Sequence, residues 1–215
     1  MKKFYKMFLY FSFIIIAILY YGCSASATLS NIQTSNTYAN KLKLKVGLFI
    51  PPEIKDRMTT VGTSTNVCSM WKAQVSSGNG YNTAIQSGLS SCVEDLVLSN
   101  SPISPESAKS EGYDLYVIPQ IVNENASVSV QESFLTNTIN SQFQTSVNLK
   151  FFDSNGETIF TYTANGSGFN NGSGSCSDIA DIMKLSMETS LRQIADNISQ
   201  SFYGSAQIND FAKQK

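Results

Sequence analysis

The pattern of apolar and polar residues predicts four strands. Between residues 42 and 50 every second residue is apolar, which is typical of a half-buried strand. The following prolines end this strand because proline has no N–H to donate. Further strands are predicted over 113–122, with an extension through 128–130 left open, over 143–151 and over 158–164. The last two flank a turn in which Gly156 can take a positive φ, so they predict a hairpin.

Two amphipathic helices are predicted where apolar residues recur at intervals of three and four. The first covers 81–98 and includes Cys92 on its apolar stripe. The second covers 178–202, and its apolar seam is interpreted as core packing, with a cofactor or partner groove as the alternative. The seam consists of Ile179, Met183, Met187, Leu191, Ile194, Ile198 and Phe202.

Four stretches lack such a pattern. Residues 23–41 are rich in Ser, Thr and Asn and are predicted to form a flexible tether, because they offer little apolar surface to bury. Residues 53–79 are predicted to form a long loop, and 204–215 a frayed tail. The glycine-rich segment 166–175 is interpreted as a flexible connector, with an anion cradle before the second helix as the alternative.

The element order β-α-β-β-β-α predicts an α+β fold. A mostly antiparallel sheet would carry both helices on one face. The elements fall within residues 42–203, which are predicted to form a single domain. Removal of 22 of the 215 residues would leave 193, enough for one domain with a substantial core.

The N-terminus has the pattern of a bacterial secretory signal. A basic start is followed by an apolar run over 7–21 and then by Gly22 and Cys23. This ending resembles a lipobox, although Tyr20 stands where a leucine is usual. The resemblance implies that 1–22 is a signal peptide and that Cys23 receives a diacylglycerol. One alternative is an uncleaved anchor, but the 15-residue run is shorter than the ~20 residues that a spanning helix needs. The other is a simple secretory signal in which Cys23 is fortuitous.

The charge balance of the chain argues against nucleic-acid binding. Three of the 15 basic residues lie in the first 22, so the mature chain would carry 12 basic and 16 acidic residues without a basic cluster. The lack of a basic cluster also argues against binding to anionic lipid headgroups. Membrane attachment would therefore depend on acyl chains at Cys23. The residue after that cysteine is Ser24 rather than Asp, which, by resemblance to enterobacterial sorting, indicates the outer membrane.

Composition and spacing argue against an enzyme. The sequence contains no histidine, which excludes His-based triads, His-ligated zinc and imidazole bases. Asp178, Asp181 and Glu188 share a predicted helix face, and Glu94 and Asp95 are adjacent, but a solvated helix surface explains them. No phosphate-binding loop, dinucleotide fingerprint or nucleophile elbow occurs. We expect no catalytic residues, no metal and no cofactor.

Three cysteines remain once Cys23 is lipidated, so at most one intramolecular disulfide can form. Cys92 is interpreted as a small buried hydrophobe. With three strands between the two predicted helices, both helices would leave the same sheet edge, which would bring Cys68 near Cys176. The pairing Cys68–Cys176 is therefore ranked first and Cys68–Cys92 second.

The succession of elements resembles that of small Gram-negative outer-membrane lipoproteins: the YajG-like lipoproteins and the accessory lipoproteins of lipopolysaccharide, polysaccharide and curli export. This resemblance implies a non-enzymatic structural or accessory component of envelope assembly or export. It also implies an envelope protein as partner, a domain facing the periplasm, and an oligomeric state left open. The alternative, suggested by the Asn- and Ser-rich surface and by 53–79, is a surface-exposed adhesin or ligand-binding lipoprotein. The resemblance is carried by the strand 45–52, the glycine-led helix 80–98, the strand 114–119 and the hairpin 149–157.

Overall fold

The computed structural model describes residues 23–132 and 136–215, and the predicted signal segment 1–22 lies outside these residues. The described residues form eight strands and five α-helices. The strands are β1 (Ser24–Thr28), β2 (Leu42–Phe49), β3 (Met58–Gly62), β4 (Lys72–Ser76), β5 (Val93–Ser99), β6 (Leu115–Gln131), β7 (Asn137–Asp153) and β8 (Thr158–Gly174). The helices are α1 (Pro52–Lys55), α2 (Gly78–Ser90), α3 (Pro105–Glu111), α4 (Ile179–Gly204) and α5 (Ala206–Lys213), and a 3-10 turn (Cys176–Asp178) leads into α4.

The strands form two sheets, and the predicted α+β class is confirmed. The large sheet has the order β5-β2-β6-β7-β8, and the small sheet has the order β1-β4-β3. Within the large sheet β2 is parallel to both of its neighbours, whereas β6, β7 and β8 form an antiparallel meander of 17-residue strands. The hairpin between β7 and β8 turns at Gly156, whose φ is 86°. The small sheet was not predicted.

The core lies between the large sheet and α4. All seven residues of the predicted α4 seam are buried, and they pack with α2 and with the inward side chains of β7 and β8. The small sheet also packs against α4. A second apolar cluster forms on the opposite face of the large sheet, where α3 contributes Ala108 to a group with Phe49, Ile103, Tyr113 and Tyr116. The first cluster therefore carries most of the buried apolar surface.

The predicted helix over 81–98 is too long. The helix α2 ends at Ser90, and residues 93–99 form β5, which lies beside β2. The prediction was wrong because Val93, Leu96 and Val97 fit a helical spacing as well as a short strand. The parallel pairing with β2 supplies the hydrogen bonds that decide between the two structures.

The predicted loop over 53–79 and the predicted tether over 23–41 are also structured. The loop range contains α1, β3 and β4, and β1 pairs in parallel with β4. After β1, Leu29 and Ile32 are buried, and the Thr34 hydroxyl donates a hydrogen bond of 2.6 Å to Asp196. The prediction failed because these elements are short and polar, and they bury their few apolar residues only by pairing with each other and packing against the rest of the core.

The glycine-rich segment 166–175 is not a flexible connector, because 166–174 form the second half of β8 and Ser175 leads into the 3-10 turn. Its glycines permit close contact with α4. A Cβ atom at Gly168 would overlap the carbonyl oxygen of Ser186, and one at Gly166 would overlap that of Ser190. In the sequence these glycines suggest flexibility, but in the structure they are required because α4 packs too closely against β8 for a side chain.

The predicted frayed tail contains α5. Ile208 of this helix is fully buried, and the Ser205 hydroxyl caps the helix by accepting a hydrogen bond from the Ile208 N–H. The tail also reaches the start of β6, where the Lys215 ammonium nitrogen lies 3.8 Å from a carboxylate oxygen of Asp114. The apolar spacing of these last residues was too short to predict a helix.

Candidate functional site

Cys23, the predicted lipidation residue, lies directly at the start of the folded domain. It is exposed, and its carbonyl oxygen accepts a hydrogen bond of 3.1 Å from the Lys72 N–H. The next residue, Ser24, begins β1 and pairs with Lys72. No linker separates Cys23 from the small sheet, so an acyl chain on its sulfur would hold the domain close to a bilayer.

Cys23 shares one end of the molecule with several other segments, which we call the anchor end. It comprises Cys23, the loop 63–71, the last residues of β6, the first of β7, and 172–178. The strand registers place these segments together, because Lys72 pairs with Gly62, and Asn137 pairs with Gly174. The loop is joined to β6 where the Ser64 N–H donates a hydrogen bond of 2.8 Å to the carbonyl oxygen of Val128.

The loop 63–71 presents apolar surface at the anchor end. Met70 is 60% exposed, and the neighbouring Trp71, the only tryptophan of the chain, is half-buried against the main core. Tryptophan combines a large apolar ring with an N–H donor, a combination enriched at membrane interfaces. Sequence analysis treated this loop only as irregular and did not connect it with Cys23.

A disulfide joins Cys68 in this loop to Cys176 in the 3-10 turn, with a Cα–Cα distance of 5.5 Å. This is the pairing that the sequence analysis ranked first. The strand count behind the ranking was wrong, however, because four strands, β5 to β8, separate α2 from α4. The packing of the small sheet on α4 is what brings the two cysteines together. Closing a loop across 108 residues stabilises the fold by up to roughly 4–5 kcal/mol in the chain-entropy model.

Cys92, the third candidate for the disulfide, remains a free thiol. It is fully buried, and its sulfur donates to the carbonyl oxygen of Leu89 at 3.2 Å. Burial raises the pKa of the Cys92 thiol to about 12, so the thiolate is scarce at neutral pH. Cys92 therefore acts as a small apolar side chain of the core.

The acidic residues considered in the sequence do not form a catalytic pair. Asp178 accepts hydrogen bonds from the N–H and the hydroxyl of Ser175 at 2.7 and 2.8 Å. The bond from the Ser175 N–H is the main reason that the pKa of the Asp178 carboxyl is lowered. Glu188 accepts a hydrogen bond from the Ser30 hydroxyl at 3.0 Å. Glu94 and Asp95 are exposed on β5 rather than on a helix. Within residues 23–132 and 136–215, no group of three His, Cys, Asp or Glu side chains could hold a metal.

Sequence analysis missed a polar network around Glu124, whose side chain is mostly buried. The carboxylate accepts hydrogen bonds from the Tyr81 hydroxyl at 2.8 Å and from the Thr59 hydroxyl at 2.9 Å. It also pairs with Arg57 at 3.2 Å. The Tyr81 hydroxyl lies 2.8 Å from the Thr145 hydroxyl. The network thus joins β3 and α2 to β6 and β7, beside a bulge in β6.

The raised pKa of Tyr81 reflects the burial of this network. Burial raises the pKa of the Tyr81 hydroxyl well above its usual range, and the charge of Glu124 raises it further. The sequence did contain a signal: two-residue steps back from Val130 and Val128 place Glu124 on the inward face of β6. The network links side chains of β3 and α2 to β6 and β7 through hydrogen bonds and one ion pair.

A polar cleft lies between 31–41 and α2. Its volume is about 460 Å³, and mainly hydroxyl and amide side chains line it. Among the described residues that line the cleft, Lys41 is the charged one. The Lys41 ammonium group donates a hydrogen bond of 2.6 Å to the carbonyl oxygen of Ser90. Among the helices that the structure describes, none is long and apolar enough to span a bilayer.

Comparisons with known proteins find similar structures but no family. The sequence matches no protein-family model and no curated protein. The hypothetical protein CT253 from Chlamydia trachomatis is 18% identical with a TM-score of 0.38, over 76% of this chain and 99% of its own. A proposed neuraminyllactose-binding hemagglutinin homolog from Helicobacter pylori is 11% identical with a TM-score of 0.45, over 87% and 98%. A minor lipoprotein from Acinetobacter baumannii is 11% identical with a TM-score of 0.36, over 75% and 95%. Identities and TM-scores this low transfer no function to this chain.

Proposed function

We propose that this protein is a lipid-anchored lipoprotein of the outer membrane that serves, without catalysis, as a structural or accessory component in envelope assembly or export. The observation that carries the proposal is the position of Cys23. This cysteine follows a signal-like segment in the sequence, and in the structure it is exposed and directly precedes the first strand of the domain.

The anchoring follows from elementary energetics. A single acyl chain binds a bilayer only marginally, whereas several chains on one residue hold a protein stably. The carbonyl of Cys23 is hydrogen-bonded to β4, so the acyl chains would be attached to a rigid sheet rather than to a flexible segment. The anchor end would then rest on the membrane surface, with Met70 and Trp71 directed toward the headgroups.

The opposite end of the domain would point away from the membrane. The strands β6, β7 and β8 each have 17 residues, so the hairpin 153–157 would lie about 50 Å from the anchor end. An envelope protein partner would meet this distal end or the flanks of the domain. A non-catalytic role is supported by the lack of histidine and by the separation of the acidic side chains.

Lipidation is tested by Cys23→Ser. We expect the variant to remain an unprocessed precursor, to lose labelled palmitate and to leave the outer-membrane fraction, whereas the control variant Cys92→Ala keeps all three properties. A Cys23→Ser protein that still incorporates palmitate and is still cleaved would contradict the proposal.

The orientation is tested with Trp71, since it is the only tryptophan and no labelling is needed. Mature lipoprotein in vesicles should show quenching of Trp71 emission by lipids brominated near the headgroup. Met70→Asp should weaken this quenching. Met58→Asp should not, because Met58 is 57% exposed but lies at the other end of β3. Equal quenching in all three proteins would exclude a membrane contact through Met70.

A second candidate function is a surface-exposed adhesin or ligand-binding lipoprotein. It is favoured by the solvent-facing side of β6, β7 and β8, where the side chains between Gln120 and Gln131, in 137–149 and in 158–174 are uncharged apart from the inward Glu124. Protease treatment of intact cells separates the two functions, because only a surface-exposed protein is digested before the cells are lysed.

A further inference from the structure

One face of the meander β6-β7-β8 is open to solvent and chemically uniform. We call it the polar face. It consists of six cross-strand rows of outward-facing side chains, and 17 of these 18 residues are Asn, Gln, Ser or Thr. Most are exposed, and the remainder are half-buried. The rows run from Gln120, Asn148 and Thr163 at one end to Gln131, Thr138 and Ser173 at the other.

The polar face carries no charge. Between residues 120 and 131 the only charged residue is Glu124, which points inward to Tyr81. The segments 137–149 and 158–174 contain no charged residue at all. Charged side chains on an edge strand keep sheets from pairing with one another, and the edge strand β8 carries none. The uncharged surface is therefore not what solubility alone would select.

Many amides on this face are available to a ligand. Two side chains already bond to neighbours on the face. The Asn148 amide donates a hydrogen bond of 3.0 Å to the Thr163 hydroxyl, and the Ser146 hydroxyl donates one of 2.7 Å to the Asn165 amide oxygen. By contrast, no hydrogen bond among the described residues engages the side-chain amides of Asn125, Asn140, Gln142 or Gln144. Each amide offers two N–H donors and one carbonyl acceptor in a plane.

Two further features suit a ligand. The ring of Phe169 is 62% exposed and lies in the same row as Ser127 and Gln142. A depression of about 260 Å³ opens beside Gln144, Ser146 and Asn165. An exposed aromatic ring among amides offers an apolar contact surface with hydrogen-bonding groups around it.

We propose that the polar face binds an uncharged glycan. A neutral sugar presents adjacent hydroxyls that both donate and accept hydrogen bonds, which matches planar amides and hydroxyls on a sheet. Its apolar C–H surface can cover the ring of Phe169, which otherwise costs free energy in water. The proposal goes beyond the anchoring role and does not depend on it.

Other occupants fit the face less well. Ten residues along a strand and three strands across make a surface of about 33 by 15 Å, or roughly 500 Å². A stable protein interface needs about 800 Å² on each partner, with an apolar and aromatic centre. Phe169 is the only apolar side chain among the 18 residues of the polar face, and the exposed Val122 lies beside the face, in the bulge of β6. An anionic ligand or a nucleic acid would find no cation to pair with.

The test uses the mature lipoprotein purified in detergent and an array of neutral and acidic oligosaccharides, followed by titration of the neutral sugars that bind. We expect Phe169→Ala to weaken binding at least tenfold. Gln144→Glu keeps the size of the side chain but adds a charge, and it should weaken binding as well. Leu98→Ala is the matched control, because Leu98 is 51% exposed on β5, away from the polar face. Circular dichroism checks that each variant is folded.

Three results would overturn the proposal. The first is binding restricted to acidic oligosaccharides. The second is neutral binding that Phe169→Ala and Gln144→Glu leave unchanged. The third is no glycan binding at all; if sedimentation then shows self-association that Phe169→Ala abolishes, the polar face is a contact between copies of this chain. None of these results bears on palmitate labelling at Cys23, so the anchoring role is tested separately.

Discussion

The close contact between β8 and α4 makes a sharp prediction for Gly168→Ala. The added Cβ would overlap the Ser186 carbonyl oxygen and would lie 2.9 Å from the Ser186 carbonyl carbon and 3.0 Å from the Ser190 N. Ordinary contacts between carbon atoms are about 3.5–4.0 Å, so α4 would have to move outward by roughly 1 Å. The atoms that obstruct the methyl group belong to the helix backbone and cannot rotate away.

The cost follows from the packing of α4. A helix whose whole seam is buried cannot move by that much without losing contacts along the core. Overpacking a core lowers the free energy of unfolding by about 1–3 kcal/mol. We expect the loss for Gly168→Ala to lie at the upper end, near about 3 kcal/mol, because no side-chain rotation can relieve the overlap. That is a large share of the stability of a typical domain.

The control is Gly62→Ala. Gly62 is also a strand glycine, but no atom lies within 4 Å of the position that an added methyl group would take, and its φ is not positive. This substitution should be neutral or should stabilise by about 0.4–1 kcal/mol, since alanine lowers the entropy of the unfolded chain. Urea unfolding followed by circular dichroism measures both variants. Equal stability of Gly168→Ala and Gly62→Ala would show that 166–175 does not pack on α4, as the flexible-connector interpretation requires.

Three further predictions concern buried and capping groups. Tyr81→Phe should lower the free energy of unfolding by about 1.5–3 kcal/mol, because the Glu124 carboxylate loses a hydrogen-bond donor. Tyr162→Phe, at a half-buried tyrosine outside this network, should change the urea midpoint little. Equal effects of the two substitutions would contradict the network. Asp178 has a lowered pKa, so its contribution to stability is present above its unfolded pKa near 3.8 and is lost as the pH falls through the folded value. The melting temperature of Asp178→Asn should therefore lie below that of wild type at neutral pH and should approach it below about pH 4; a constant difference would refute this. The thiol of Cys92 should resist alkylation in the native lipoprotein and react once per chain after denaturation, as measured by mass spectrometry, and rapid native labelling would show that it is not buried.

The sequence alone determined the elements whose pattern is long and regular. The strand at 42–49, the hairpin through Gly156 and the seam of α4 follow from local periodicity, because a buried stripe or alternating face requires apolar residues at fixed steps. The α+β class follows from the order of these elements. The interpretation of Cys23 as a lipidated residue likewise depends only on local sequence, and it stays a prediction.

Tertiary structure alone decided the elements that have no periodicity of their own. The strands β1, β3 and β4 have five residues each, and they become strands by pairing with one another and packing on α4. The same holds for Glu124, since its burial depends on donors that are distant in sequence: Tyr81 of α2, Thr59 of β3 and Arg57, which precedes β3. The glycines of β8 show the limit most clearly. A missing side chain predicts flexibility when only the chain is considered, and it permits tight packing once a helix backbone lies against it.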